Sequence, residues 1–104
     1  MFDALPGTLL PASLSVEAAE RVLAVRYLVR AEVSPGLLPR LLQPLAKRDV
    51  TPERFRAARE GEAMRVEIAA TLPESVVELV AGNIRSVVGV TRIEVEHGRV
   101  SRGG

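Results

Sequence analysis

The sequence predicts an α+β domain of the ferredoxin-like kind: a βαββαβ chain whose antiparallel sheet runs in the order 4-1-3-2, with two helices on one face. Three observations lead there. Four segments alternate apolar and polar residues with period 2. Two others carry leucine or valine stripes at helical spacing. The six follow one another as strand, helix, strand, strand, helix, strand. With 104 residues, 47% of them apolar, the chain has material for a single core.

Residues 1–24 read as an N-terminal extension carrying Pro6, Gly7 and Pro11. A short helical patch from Val16 to Leu23 fits there, with Ser15 as its cap; a strand is the alternative, because Ser13 to Val16 alternates. The domain proper spans 25–98. Val25, Tyr27, Val29, Ala31 and Val33 alternate with Arg26, Leu28, Arg30 and Glu32, a strand with one buried face. Ser34-Pro35-Gly36 breaks it, with Ser34 suited to a helix cap and Pro35 to the first helical position. Leu37, Leu38, Leu41, Leu42 and Leu45 form the first helical stripe, and Pro44 should kink or end its last turn. Thr51 to Arg59 reads as an edge strand, since Pro52 belongs at an edge, with Phe55 and Ala57 inward and Arg54 and Arg56 outward. Glu60-Gly61-Glu62 makes a hairpin turn. Met64, Val66, Ile68 and Ala70 mark the third strand. Thr71 and Glu74 have capping-box spacing for a second helix lined by Val76, Val77, Val80 and Ile84. Gly89 turns the chain into a fourth strand, Val90 to Glu96, and residues 99–104 read as a frayed tail.

Composition removes whole classes of function. There are 14 basic and 13 acidic side chains, a formal net charge of +1, so no field holds nucleic acid or anionic lipid by charge alone. Zero cysteines exclude disulfides, thiolate nucleophiles, iron–sulfur clusters and cysteine-containing zinc sites. The one histidine, His97, offers no local two-histidine metal site and reads as an exposed turn residue. Three aromatics, Phe2, Tyr27 and Phe55, are too few for base-stacking platforms. No apolar run approaches the ~20 residues of a membrane span, and the N-terminus lacks a secretion signal, so the expected location is cytoplasmic.

The outer sheet face should show Arg26, Arg30, Glu32, Arg65, Glu67, Arg92, Glu94 and Glu96, a lattice of cross-strand pairs. Glu94 and Glu96 share that face but lack the pocket a general acid/base pair needs. Lys47 reads as a dipole partner at a helix end. No phosphate-loop, dinucleotide or nucleophile-elbow spacing occurs. The expectation is a non-catalytic chain without cofactor or metal.

One segment stands out. Ser34-Pro35-Gly36-Leu37-Leu38 joins the first strand to the first helix, where free N–H groups and the helix dipole suit a carboxylate; a plain helix start is the alternative.

That turn, with the helix ending Leu45-Ala46-Lys47-Arg48-Asp49-Val50, resembles the ACT domain, a small-ligand regulatory module usually specific for amino acids. The resemblance runs over residues 26–97. Val66-Glu67-Ile68, then Leu72-Pro73-Glu74-Ser75-Val76-Val77-Glu78-Leu79 and Val87-Val88-Gly89-Val90, is similar to the short single-ACT small subunits of acetolactate synthase. ACT domains commonly have glycine where Asp49 stands, and Asp tolerates the left-handed conformation better than most residues. The family also places a polar side chain near the start of the second strand to hold the ligand amine; here that implies Thr51 or Glu53, flanking Pro52.

The resemblance thus implies a ligand site of Pro35, Gly36, Leu37, Leu38, Val50, Thr51 and Glu53. The ligand carboxylate would meet the N–H groups of Gly36, Leu37 and Leu38, its amine Thr51 or Glu53 across a dimer interface, and its side chain Leu38, Leu41 or Val50. The expected function is a regulatory or accessory subunit of a branched-chain amino-acid biosynthetic enzyme, acting through contact with a large catalytic subunit and through a small amino-acid effector. The alternatives are a stand-alone amino-acid-sensing dimer and a structural self-assembly domain without ligand. A homodimer is expected in each case, with neither nucleic acid nor membrane as partner.

Overall fold

The computed structural model describes residues 21–99. Its elements are β1 (Val22–Glu32), α1 (Leu37–Lys47), β2 (Arg54–Glu60), β3 (Ala63–Pro73), α2 (Glu74–Arg85) and β4 (Val90–Arg99). They form one antiparallel sheet in the order β2-β3-β1-β4, which is the expected 4-1-3-2 order read from the other side.

Register follows from the alternation. Tyr27 stands opposite Ile68 on β3 and Val95 on β4, and Phe55 on β2 also faces Ile68. This inward row joins Val25, Val29, Val66 and Leu72 to the helix stripes Leu37, Leu41, Leu45 and Val77, Val80, Ile84 in one core. Both helices therefore cover the same sheet face. Tyr27 lies at its centre, fully buried, with its hydroxyl donating to the Val77 carbonyl oxygen of α2 at 2.8 Å. Burial of the phenol, helped by the negative charge of Glu78, pushes its pKa up to about 12.

Several boundaries differ from the sequence reading, each for a local reason. β1 begins at Val22, so Val22 and Leu23 belong to a strand and not to a helical patch; they pair with Pro73 and Leu72, whose strand runs further than its alternation suggested. The rest of that patch, from Val16, lies outside the described residues. Thr71 is a β3 residue and does not cap α2: its hydroxyl donates to Glu53 Oε2 at 2.9 Å, and Pro73 precedes the helix in an extended conformation. β2 starts at Arg54, three residues after Thr51. α1 does not end at Pro44, which is buried within it while the helix runs on to Lys47. Glu60 is the last residue of β2, leaving Gly61 and Glu62 as the turn. Gly98 and Arg99 extend β4, and His97 is an exposed strand residue opposite Val25, not a turn residue.

The loop after α1 behaves as read. Asp49 holds φ 58, and the N–H groups of Asp49 and Val50 donate to the carbonyls of Ala46 and Leu45. Its left-handed residue lets the last turn satisfy its own acceptors.

Candidate functional site

The β1–α1 turn sits at the end of the sheet where β1 finishes and the β2–β3 hairpin turns. Val33 N–H donates to the Glu62 carbonyl at 3.2 Å, and Glu32 N–H to the Gly89 carbonyl at 2.9 Å, so three loops meet there. Gly36, not Ser34, is the residue before α1. It adopts φ 81, a left-handed conformation that a residue with a Cβ rarely holds, and no side chain caps the helix. The chain needs this to turn sharply out of Pro35 and still bury Leu37.

The helix start has its own donor inventory. Leu37 N–H donates to the Ser34 carbonyl at 3.3 Å, closing a turn. Pro39 has no N–H. Among the described residues, the N–H groups of Gly36 and Leu38 take no backbone acceptor. They are the donors an incoming carboxylate would meet. The guanidinium of Arg40, one turn on, adds a cation: a Cβ built on Gly36 would lie 3.8 Å from Arg40 Nη2. Arg40 is not among the residues expected at the site; the one signal for it in the sequence is its spacing of four residues from Gly36, which places it above the turn.

The predicted residues do not all come together in one chain. Pro35 and Gly36 are exposed and Leu38 is half-buried at this end. Leu37 and Leu41 are core residues, 1% and 0% exposed, so neither side chain is open to a ligand; the helix spends that stripe on the sheet. Half-buried Val50 and exposed Thr51 and Glu53 lie past the other end of α1, some 16 Å away for an 11-residue helix. There Glu53 N–H donates to the Ala69 carbonyl at 2.7 Å while its carboxylate accepts from Thr71.

The β2 edge has little cover. Among the described residues β2 pairs only with β3, and along it Ala57 and Ala58 are exposed while Phe55 is half-buried. The outer sheet face carries part of the expected lattice. Arg26 binds Glu96 at 2.6 Å and Glu67 at 3.1 Å, and hydrogen bonding to Glu96 holds its guanidinium charged more firmly than usual. Arg65 binds Glu60 at 2.9 Å, and Arg92 binds Glu94 at 2.8 Å along its own strand. Glu94 and Glu96 are thus ion-pair acceptors. Among the described residues no group of acidic or histidine side chains is arranged to hold a metal ion, and no helix is long and apolar enough to cross a membrane.

A family model for the ACT-like domain matches residues 16–101. The chain belongs to the ACT-like domain family. Domains of this family are typically regulatory and bind ligands. No curated relative matches in sequence. Among solved structures, the ACT domain from GTP pyrophosphokinase of Chlorobium tepidum superposes with a TM-score of 0.61 at 13% identity, covering 75% of this chain and all of that domain. The C-terminal domain of the MgtC protein from Mycobacterium tuberculosis gives 0.62 at 11% identity, covering 80% of this chain and 95% of that one. A homoserine dehydrogenase from Thiobacillus denitrificans gives 0.65 at 20% identity over 93% of this chain, but only 20% of the dehydrogenase. At these identities the likeness concerns the fold. The ACT-like match begins at residue 16, upstream of the position where the sequence resemblance started.

Proposed function

We propose that this ACT-like chain is a non-catalytic regulatory subunit that senses a small apolar amino acid at the N-terminus of α1. The observation that carries the reading is the left-handed Gly36, which leaves two backbone N–H groups without backbone acceptors beside the Arg40 guanidinium. Backbone donors, a helix dipole and a nearby cation suit a carboxylate, and the half-buried Leu38 suits an apolar side chain.

The amine partners belong to a second copy. One protomer's α1 separates Gly36 from its own Thr51 and Glu53, so a complete site needs a homodimer. Pairing of the thinly covered β2 edges about a two-fold axis runs the two strands antiparallel. That brings Thr51 and Glu53 of the partner subunit toward this protomer's Gly36. The effector would then report by tightening or loosening the dimer.

The regulated enzyme is a branched-chain amino-acid biosynthetic synthase of the acetolactate synthase kind, a reading supported by the similarity of Val66–Ile68 and Leu72–Leu79 to that enzyme's small subunits. Affinity capture from the native host with mass spectrometry tests it. Recovery of a thiamine-diphosphate synthase supports the subunit reading. Amino-acid binding without such a partner supports the stand-alone sensor instead, and absence of both supports the self-assembly domain.

A further inference from the structure

The outer sheet face is no uniform lattice. Reading the register across the strands, Arg65 on β3 stands opposite Arg30 on β1, and Arg30 stands opposite Arg92 on β4. Three guanidiniums therefore share one row, on strands about 4.8 Å apart. Like charges directly opposite one another destabilise a sheet. All three are exposed, and none belongs to the buried core. A local choice that opposes stability without a packing reward marks a functional position more often than a structural one.

The row is also under-neutralised. Arg65 and Arg30 share Glu60, at 2.9 and 3.5 Å, and among the described residues Arg92 pairs only with Glu94. A guanidinium has five N–H donors, and the ion pairs among the described residues engage one nitrogen of each arginine in the row. The row lies in an open groove of about 830 Å³ on the outer face, with Leu28 in its floor and Arg56 on its β2 side. Four arginines, Arg30, Arg56, Arg65 and Arg92, line it against two carboxylates, Glu67 and Glu94.

We infer that this groove binds a compact polyanion, a small molecule with two or more phosphate or carboxylate groups, across Arg65, Arg30 and Arg92. Planar forks side by side match adjacent oxyanion groups bidentately. The ligand is compact because the next rows carry Glu67, Glu94 and Glu96, which would repel an anionic polymer continuing along the strands. Among the described residues no aromatic side chain alternates onto this face to stack a base, Tyr27 and Phe55 both facing Ile68 on the other. The site is on the opposite side of the sheet from the helices and independent of the amino-acid site at Gly36.

Calorimetric titration of the full chain at low salt with inorganic pyrophosphate, tripolyphosphate and citrate tests this, with sodium chloride of equal ionic strength as control. One saturable site per chain is expected, weakening steeply with salt. Arg65→Ala and Arg92→Ala should each weaken binding about tenfold, the range for a hydrogen bond between charged groups. Glu94→Gln should tighten it, because it frees Arg92. Arg54→Ala, on the same face outside the groove, should leave it unchanged. All four residues are exposed, and a urea midpoint for each variant verifies folding. A preference for the phosphates or for citrate identifies the anion class and supports the site. Absence of saturable binding, equal loss in Arg54→Ala and Arg65→Ala, or no gain in Glu94→Gln overturns the proposal.

Discussion

Replacing Tyr27 with phenylalanine should lower stability at neutral pH and raise it in strong alkali. Tyr27 is fully buried and its hydroxyl makes one hydrogen bond, to a helical carbonyl at 2.8 Å. Loss of that bond should cost about 0.5–1.5 kcal/mol near pH 7, a fall in Tm of roughly 4–8 °C per kcal/mol for a domain of this size. Alkali reverses the order. The unfolded phenol titrates near 10, but burial and Glu78 push the folded one up to about 12. The folded state keeps a proton that the unfolded chain has given up, so wild-type stability is intact below pH 10 and declines from there to pH 12. The decline amounts to about 2–3 kcal/mol in all. Tyr27→Phe has no such group, and the two stability curves should cross at about pH 11. Urea unfolding of both proteins between pH 7 and 12 reads this. The sequence has one tyrosine and no tryptophan, so phenolate absorbance of the folded protein reports Tyr27 directly. Parallel decline of the two proteins, or titration of the folded phenol near 10, would refute the reasoning.

Leu41→Ala, at a position with 0% exposure, should lose about 2–5 kcal/mol and leave the domain barely folded by circular dichroism. Asp49→Ala should cost about 1 kcal/mol in a thermal melt, since alanine tolerates φ 58 less well than aspartate, whereas Asp49→Gly should be neutral or mildly stabilising. Light scattering at tens of micromolar should return the mass of two chains; Ala57→Lys on the exposed edge strand should reduce it toward one without unfolding the protein.

Much of the fold was legible because each strand buries one face. Val25, Tyr27 and Val29, then Val66, Ile68 and Ala70, are interleaved with Arg26, Arg30 and Glu67, and charges at those alternate positions fix the inward face even though Leu28 and Ala69 are apolar. The helix starts were less legible. Ser34 and Thr71 have the chemistry of caps, but Thr71 is drawn to Glu53 and Ser34 lies two residues too early. Cap propensity is a local preference that strand pairing overrides: Val22 and Leu23 hold Leu72 and Pro73 in the sheet past the point where a capping box would start a helix.

The site was legible in part for a similar reason. Pro35-Gly36 announces a turn, and a glycine is what the observed φ 81 requires. Burial of Leu37 and Leu41 was not separable from that of Leu38, because a stripe of five leucines does not reveal which ones the sheet covers. The arginine row was hidden further still. Arg30, Arg65 and Arg92 are far apart in sequence, and only the register aligns them.

Docking of a carboxylate at Gly36 is read by calorimetric titration of wild type, Gly36→Asn and Gly36→Asp with valine, leucine and isoleucine. Asparagine and aspartate tolerate the left-handed conformation at φ 81 better than other side chains, and they differ by a charge. A Cβ at this position meets Arg40 only at ordinary contact distance, so both variants should fold. Wild type should bind in the micromolar-to-millimolar range, Gly36→Asn modestly more weakly and Gly36→Asp below detection. Equal affinity of the two variants, or binding by Gly36→Asp as tight as wild type, would contradict docking at Gly36.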